Sequence, residues 1–170
     1  VKRFDRVGAV RRFFASAMTM TGNQDTEDAS YLELAEFLAT WGEPDHINHD
    51  LAELFTRVVF NVATANRDDH LRNHGFIRTP SGWRLAPAFD MNPSFKKGEH
   101  ALALDLYNRQ PDISVVLATA GYYRLDLNRA EKIISDTGKV IAGWKTRARK
   151  LGLSAHAVAE AEHLFLSLNH

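Results

Sequence analysis

The pattern of apolar positions is clearest in the middle of the chain. Leu51, Leu54, Phe55, Val58, Val59 and Val62 recur three and four apart, the spacing that gives a helix one apolar face. Asp50-x-x-Glu53 has the form of a capping box at its start, and Arg57 falls off the stripe, toward solvent. An earlier box, Ser30-x-x-Glu33, predicts a helix running to Trp41 with Gly42 as its stop. Glu43–His49, with Pro44, reads as the loop between the two. The period then changes. Gly75–Arg78 is short and apolar, Thr79-Pro80-Ser81-Gly82 is turn chemistry, and Trp83–Phe89 resumes as a second run. This predicts a hairpin, with Pro87 unsuited to a central, fully bonded strand.

The flanks are less regular. Val1–Arg6 reads as a strand end leading into a linker, and Gly22–Ala29 is polar and turn-like. After the hairpin, Met91–His100 is a loop, and Leu102, Leu104 and Leu106 alternate as in a short strand. Ile113–Tyr123 reads as helix. Asn128 is placed to cap a long helix reaching about Leu151, with Gly138 as a weak point, and Ser154 to cap a last one ending about Leu168. The expected fold class is α+β, mainly α, in one domain over residues 1–170.

Polar residues gather around the hairpin. Asp68 and Asn73 precede its first strand and Asp90 follows its second. A hairpin brings its two ends together, so Asn73 and Asp90 are expected to converge, with Asp68 beside them. A nucleotide-dependent phosphotransferase needs one carboxylate to orient the acceptor hydroxyl, and an amide and a further carboxylate to hold the metal on the phosphates. Mg²⁺ takes oxygen ligands, and Asn with Asp suits it better than zinc. Taken singly, each of these residues is better explained as a cap or turn residue. The conjunction of three residue types, two spacings and a hairpin favours chemistry. His70 and His74 lie four apart but have no third ligand at helical spacing.

Asp68-x-His70-x-Arg72-Asn73, followed by Leu85-x-Pro87-x-Phe89-Asp90, resembles the C-terminal lobe of HipA-type serine/threonine kinases, the toxins of bacterial toxin–antitoxin pairs. Val1–Arg6 resembles another segment of that family. The resemblance implies the large lobe of a kinase-like fold built around a catalytic hairpin, with ATP and Mg²⁺ as cofactors. It implies Asp68 as the general base or hydroxyl-orienting carboxylate, and Asn73 and Asp90 as Mg²⁺ ligands. His70, Leu71, Arg72 and Asn73, with Phe89, Asp90, Met91 and Asn92, are implied to border the nucleotide phosphates. Lys2, Arg3 and Phe4 match the hinge segment whose backbone touches the adenine. Arg72 stands where HipA itself has Lys, a planar fork in place of a point charge.

The implied partners are a protein substrate, in known members an aminoacyl-tRNA synthetase, and a HipB-like DNA-binding antitoxin. No glycine-rich loop occurs in the sequence. The ATP-binding N-terminal lobe is therefore expected outside these residues, and the chain alone is expected to be inactive. Two other functions fit the same residues. One is phosphoryl transfer to a small molecule or lipid head group; the other is a kinase-like lobe acting only as a binding or regulatory module.

Composition narrows the choice. A formal net charge of zero argues against a broad nucleic-acid or membrane footprint. The cations Lys145, Arg147, Arg149 and Lys150 suit the end of a helix. No apolar stretch approaches the ~20 residues of a membrane helix. The chain has no cysteine, which excludes a disulfide, a thiolate zinc site and a cysteine nucleophile. A cytoplasmic setting is expected, with no membrane and no direct nucleic-acid contact.

Overall fold

Two helices carry the core of the computed structural model, which describes residues 3–23 and 28–168 and, of Val7, only the backbone. α2 (Tyr31–Trp41) starts at a capping box formed by Ser30 and Glu33 and stops at Gly42, as the sequence predicts. α3 (Ile47–Ala63) buries Leu51, Leu54, Phe55, Val58, Val59 and Val62. Each such side chain contributes about 1.5–3 kcal/mol on leaving water, so the position of α3 is firmly set. Before α2 come two short strands, β1 (Arg6–Val7) and β2 (Val10–Arg11), then β3 (Phe14–Ser16) and the one-turn helix α1 (Ala17–Thr21).

The predicted hairpin is present as β4 (Gly75–Arg78) and β5 (Trp83–Leu85). Phe76 faces Leu85 and Arg78 faces Trp83. β3 adds to the other side of β4 in antiparallel register, Ser16 opposite Gly75, giving the order β3-β4-β5. β3 lies so close that a Cβ on Gly75 would stand 2.3 Å from the Phe14 ring. β5 ends at Leu85 because Pro87 has no amide to give; the chain runs on to Asp90 outside the ladder.

Several boundaries differ from the sequence reading, each for a local reason. Asp50 does not open α3. A 3₁₀ turn over Pro44–His46 feeds the helix from Ile47, and Asp50 reaches out of it to Arg84, by Nε–Oδ2 at 2.8 Å and Nη2–Oδ1 at 3.0 Å. The Leu85 amide donates to the same carboxylate at 2.8 Å, so Asp50 pins β5 to α3. Leu102, Leu104 and Leu106 form no strand. Ala103 bonds only at the start of α2, through Ala29 and Tyr31, and Asp105 then turns the chain by accepting the Tyr107 and Asn108 amides.

The expected helix over Ile113–Tyr123 is α4 (Ile113–Ala118) followed by a 3₁₀ turn, Ala120–Tyr123. The long helix is two, α5 (Leu127–Ala142) and α6 (Trp144–Lys150), parted at Gly143. Asp126 caps it in place of Asn128, accepting from the Arg129 amide at 2.8 Å. Gly138 sits in an intact turn of α5, where the last described residue, Leu168, packs so tightly that a Cβ would come within 2.9 Å of its own. α7 (Ala155–Glu162) starts at Ser154 and is shorter than expected.

Candidate active site

α3 delivers the chain into the polar segment through a turn fixed at Asn61. The Asn66 amide donates to the Asn61 carbonyl at 2.9 Å, and Asn66 Nδ2 to Asn61 Oδ1 at 3.0 Å. Ala65 takes φ 55° to make the turn. Asp68 and Asp69 then point opposite ways. Asp68 leaves 61% of its side chain exposed, while Asp69 is 2% exposed.

Asp69 is the centre of a buried polar knot. Tyr31 OH and Asn61 Nδ2 donate to Asp69 Oδ2 at 2.7 and 2.6 Å, and His74 Nε2 stands 2.7 Å from the same oxygen. Burial and then the Asp69 charge push the Tyr31 phenol well above its ordinary pKa of 10.0, so it stays a donor. A lone buried carboxylate is costly unless every lone pair is used, and here it ties α2, α3 and the start of β4 to one atom. No spacing rule in the sequence singles out Asp69. The only signal was an aspartate next to the expected base.

A 3₁₀ turn, Leu71–Asn73, closes the segment. Asn73 is 8% exposed and donates its Nδ2 to the Asp68 carbonyl at 3.3 Å. Leu71 is fully buried in the core. His70 is half-buried and Arg72 is exposed. The hairpin ends converge as its geometry requires. The Ala86 amide donates to the Gly75 carbonyl at 2.9 Å, and Asn73, Phe89 and Met91 line one small cavity with Asp69 and His74.

Asp90, between Phe89 and Met91, is exposed and takes φ 55°, a conformation that costs an aspartate of order 1 kcal/mol and marks a backbone held from both sides. Its Oδ1 accepts from Asn92 Nδ2 at 2.9 Å. Arg57, expected in solvent, is 7% exposed. Its Nη2 donates to the Ala86 carbonyl at 2.8 Å and its Nε to Glu53 at 3.0 Å, which fixes the strand leading to Asp90 onto α3.

The segment expected to form the hinge reaches the same place. The Phe4 ring stacks on Phe89 at 5.6 Å between centroids and meets Phe14 edge-on at 5.5 Å. Arg3 is exposed and pairs with Asp5. Lys2 lies outside the described residues. Lys97, from the loop after Asp90, donates to Asp68 Oδ1. That bond holds the Asp68 carboxyl below its ordinary pKa.

A helical lobe with a small antiparallel sheet, carrying an Asp–Asn segment and a second Asp at the two ends of one hairpin, is the C-terminal lobe of a kinase-like fold. Residues 1–144 match the family model of the HipA-like C-terminal domain, and the chain belongs to that family. A protein of Sinorhizobium fredii (strain NBRC 101917 / NGR234) named "Putative kinase Y4dM" is 25% identical over 169 residues, covering 91% of this chain and 40% of its own length. A chain in the solved complex of Shewanella oneidensis MR-1 HipA, HipB and operator DNA superposes on 98% of this chain with a TM-score of 0.71 at 18% identity. This chain spans 46% of that one, so it covers less than half the length of either relative. Among the described residues, no helix is long and apolar enough to cross a membrane.

Proposed function

We propose that this chain is the catalytic lobe of a HipA-type protein kinase, which moves the γ-phosphate of ATP to a serine or threonine hydroxyl. The observation that carries the reading is the division of labour at residues 68 and 69. An exposed carboxylate stands on a backbone that its buried neighbour locks in place. Asp68 orients the acceptor hydroxyl and takes its proton as the new bond to phosphorus forms. Asn73 and Asp90 offer oxygen donors of the kind Mg²⁺ takes. The Asn73 amide nitrogen is already committed to Asp68, which leaves Oδ1 for the ion. Mg²⁺, when bound, neutralises charge on the phosphates. His70, Arg72 and the stretch from Phe89 to Asn92 border those phosphates. The backbone of Arg3 and Phe4 would meet the adenine, with the Phe4 ring held by Phe89.

Because both relatives are more than twice as long, activity, substrate and partners are proposed for the whole protein. The acceptor is a protein, of which an aminoacyl-tRNA synthetase is the family's example. A HipB-like antitoxin is the partner, and the likeness to a chain crystallised with HipB supports it. The setting is cytoplasmic. The test follows labelled γ-phosphate from Mg-ATP with the full-length gene product and its Asp68→Asn variant. Transfer to protein is expected, reduced in the variant by about 10²–10⁴-fold, the usual contribution of a positioned base. No transfer by the folded wild type, to itself or to lysate proteins, returns the lobe to a binding role.

A further inference from the structure

The segment after Asp90 returns to the Asp68 arm and is laced to it. The Ser94 amide donates to the Ala65 carbonyl at 2.8 Å, and the Ala101 amide to the Arg67 carbonyl at 3.0 Å. Between them, Arg67 Nη1 donates to the Lys97 carbonyl at 2.5 Å. These three bonds deliver Lys97 to the Asp68 carboxylate. The pair is open to solvent, with side chains 46% and 61% exposed. An exposed pair adds little to stability, so holding the fold does not explain it.

Its location does. This step rests on the kinase reading above. If Asp68 orients the acceptor hydroxyl, the acceptor oxygen is one hydrogen bond from the carboxylate that carries Lys97. The phosphorus in flight bonds to that same oxygen. An ammonium on Asp68 is then within reach of the equatorial oxygens on which transition-state charge gathers.

We propose that Lys97 is a catalytic residue, resting on Asp68 in the free enzyme and donating to the phosphoryl group during transfer. As the acceptor O–P bond forms, the acceptor proton passes to the Asp68 carboxylate. The bond from γ-phosphorus to the bridging oxygen breaks, and its electron pair leaves with ADP. Lys97 keeps all its protons throughout. It swings from a carboxylate that is being neutralised to a phosphoryl group that is passing by.

The experiment uses the full-length protein with Lys97→Met and Lys97→Arg, and Asp68→Asn as the control. One readout is phosphate transfer. The other is calorimetric binding of Mg-ADP with and without aluminium fluoride, a mimic of the phosphoryl in flight. Lys97→Met is expected to lower kcat about 10²-fold, as loss of one transition-state donor does. The KM for ATP and the affinity for ADP alone should not change, while the extra affinity conferred by aluminium fluoride is lost. Lys97→Arg should restore part of both. If Asp68→Asn is dead but Lys97→Met transfers and binds the fluoride complex normally, the assignment falls and the kinase stands. Faster transfer by Lys97→Met also overturns it, making Lys97 a brake on Asp68. If the wild type neither transfers phosphate nor binds the fluoride complex, both readings fall.

Discussion

The side-chain amide of Asn73 donates to the main-chain carbonyl of Asp68 across 3.3 Å, while the Asn73 main-chain amide donates to His70 at 2.8 Å. The expected base and an expected metal ligand are therefore the two ends of one closed loop, and neither can shift without the other. Asn73→Ala should cost about 1 kcal/mol of stability for the lost hydrogen bond and weaken the Mg²⁺ dependence of nucleotide binding, since Asp90 remains as a ligand. Asn73→Asp keeps an oxygen ligand without a donor. It should lose similar stability but retain Mg²⁺ dependence. Denaturant unfolding and Mg²⁺-titrated nucleotide binding separate the two effects; unchanged Mg²⁺ dependence in Asn73→Ala removes the metal role.

Asp69 holds three partners on one buried oxygen. Asp69→Ala leaves the Tyr31 hydroxyl and the Asn61 amide without their acceptor and should destabilise the lobe by about 3–5 kcal/mol, as breaking a buried charged contact does. Tyr31→Phe removes one donor and should cost about 1 kcal/mol. Chemical denaturation measures both. Equal costs would show that the knot is not centred on Asp69.

Arg57 links α3 to the strand that leads to Asp90. Arg57→Met preserves most of the buried stem but drops the guanidinium, leaving the Ala86 carbonyl without that donor. A loss of about 1.5–3 kcal/mol is expected, the range for a hydrogen bond to a charged group. Amide hydrogen exchange should rise at Ala86 and beyond, and hardly at all in α5.

His100 makes stability depend on pH. It is 1% exposed and buried beside Arg67, Asp69 and the Asn66 main chain. Burial, then the nearby Arg67 charge, lowers its pKa from 6.5 to about 4. Between those values the unfolded chain holds the proton and the folded one does not. Stability should therefore fall as pH drops from 6.5 toward 4, by up to about 1.4 kcal/mol per pH unit. His100→Leu should flatten that slope in unfolding curves taken across the range. A slope unchanged by the substitution would assign it to other groups.

Much of the framework was legible because it rests on short-range rules. The Ser30–Glu33 box, the Leu51–Val62 stripe and the Thr79–Gly82 turn each declare themselves within a few residues, and the hairpin then forces Asn73 toward Phe89 and Met91. What stayed hidden depends on partners far along the chain. Arg57 lies off the apolar stripe and looks solvated until Ala86, 29 residues on, supplies its acceptor. Asp50 looks like a cap until Arg84 and Leu85 draw it outward. Asp69 became a hub only when Tyr31, 38 residues earlier, was folded against it. A sequence shows which polar residues are present. It does not show which of them burial has compelled to find one another.

The turn after α3 carries a constraint of counting. Asn66 is tied to Asn61 by main chain and side chain, so the number of residues from the helix to the carboxylate pair is fixed. Adding one residue between 64 and 67 would push Asp68 into the buried slot and leave arginine at the exposed position. Removing one would bring Asp69 to the exposed position and put His70 in the buried slot. Substitutions in this turn change chemistry by degrees, whereas an insertion or deletion removes a carboxylate from one of the two slots outright. Across related chains, the length of this stretch should vary less than its composition.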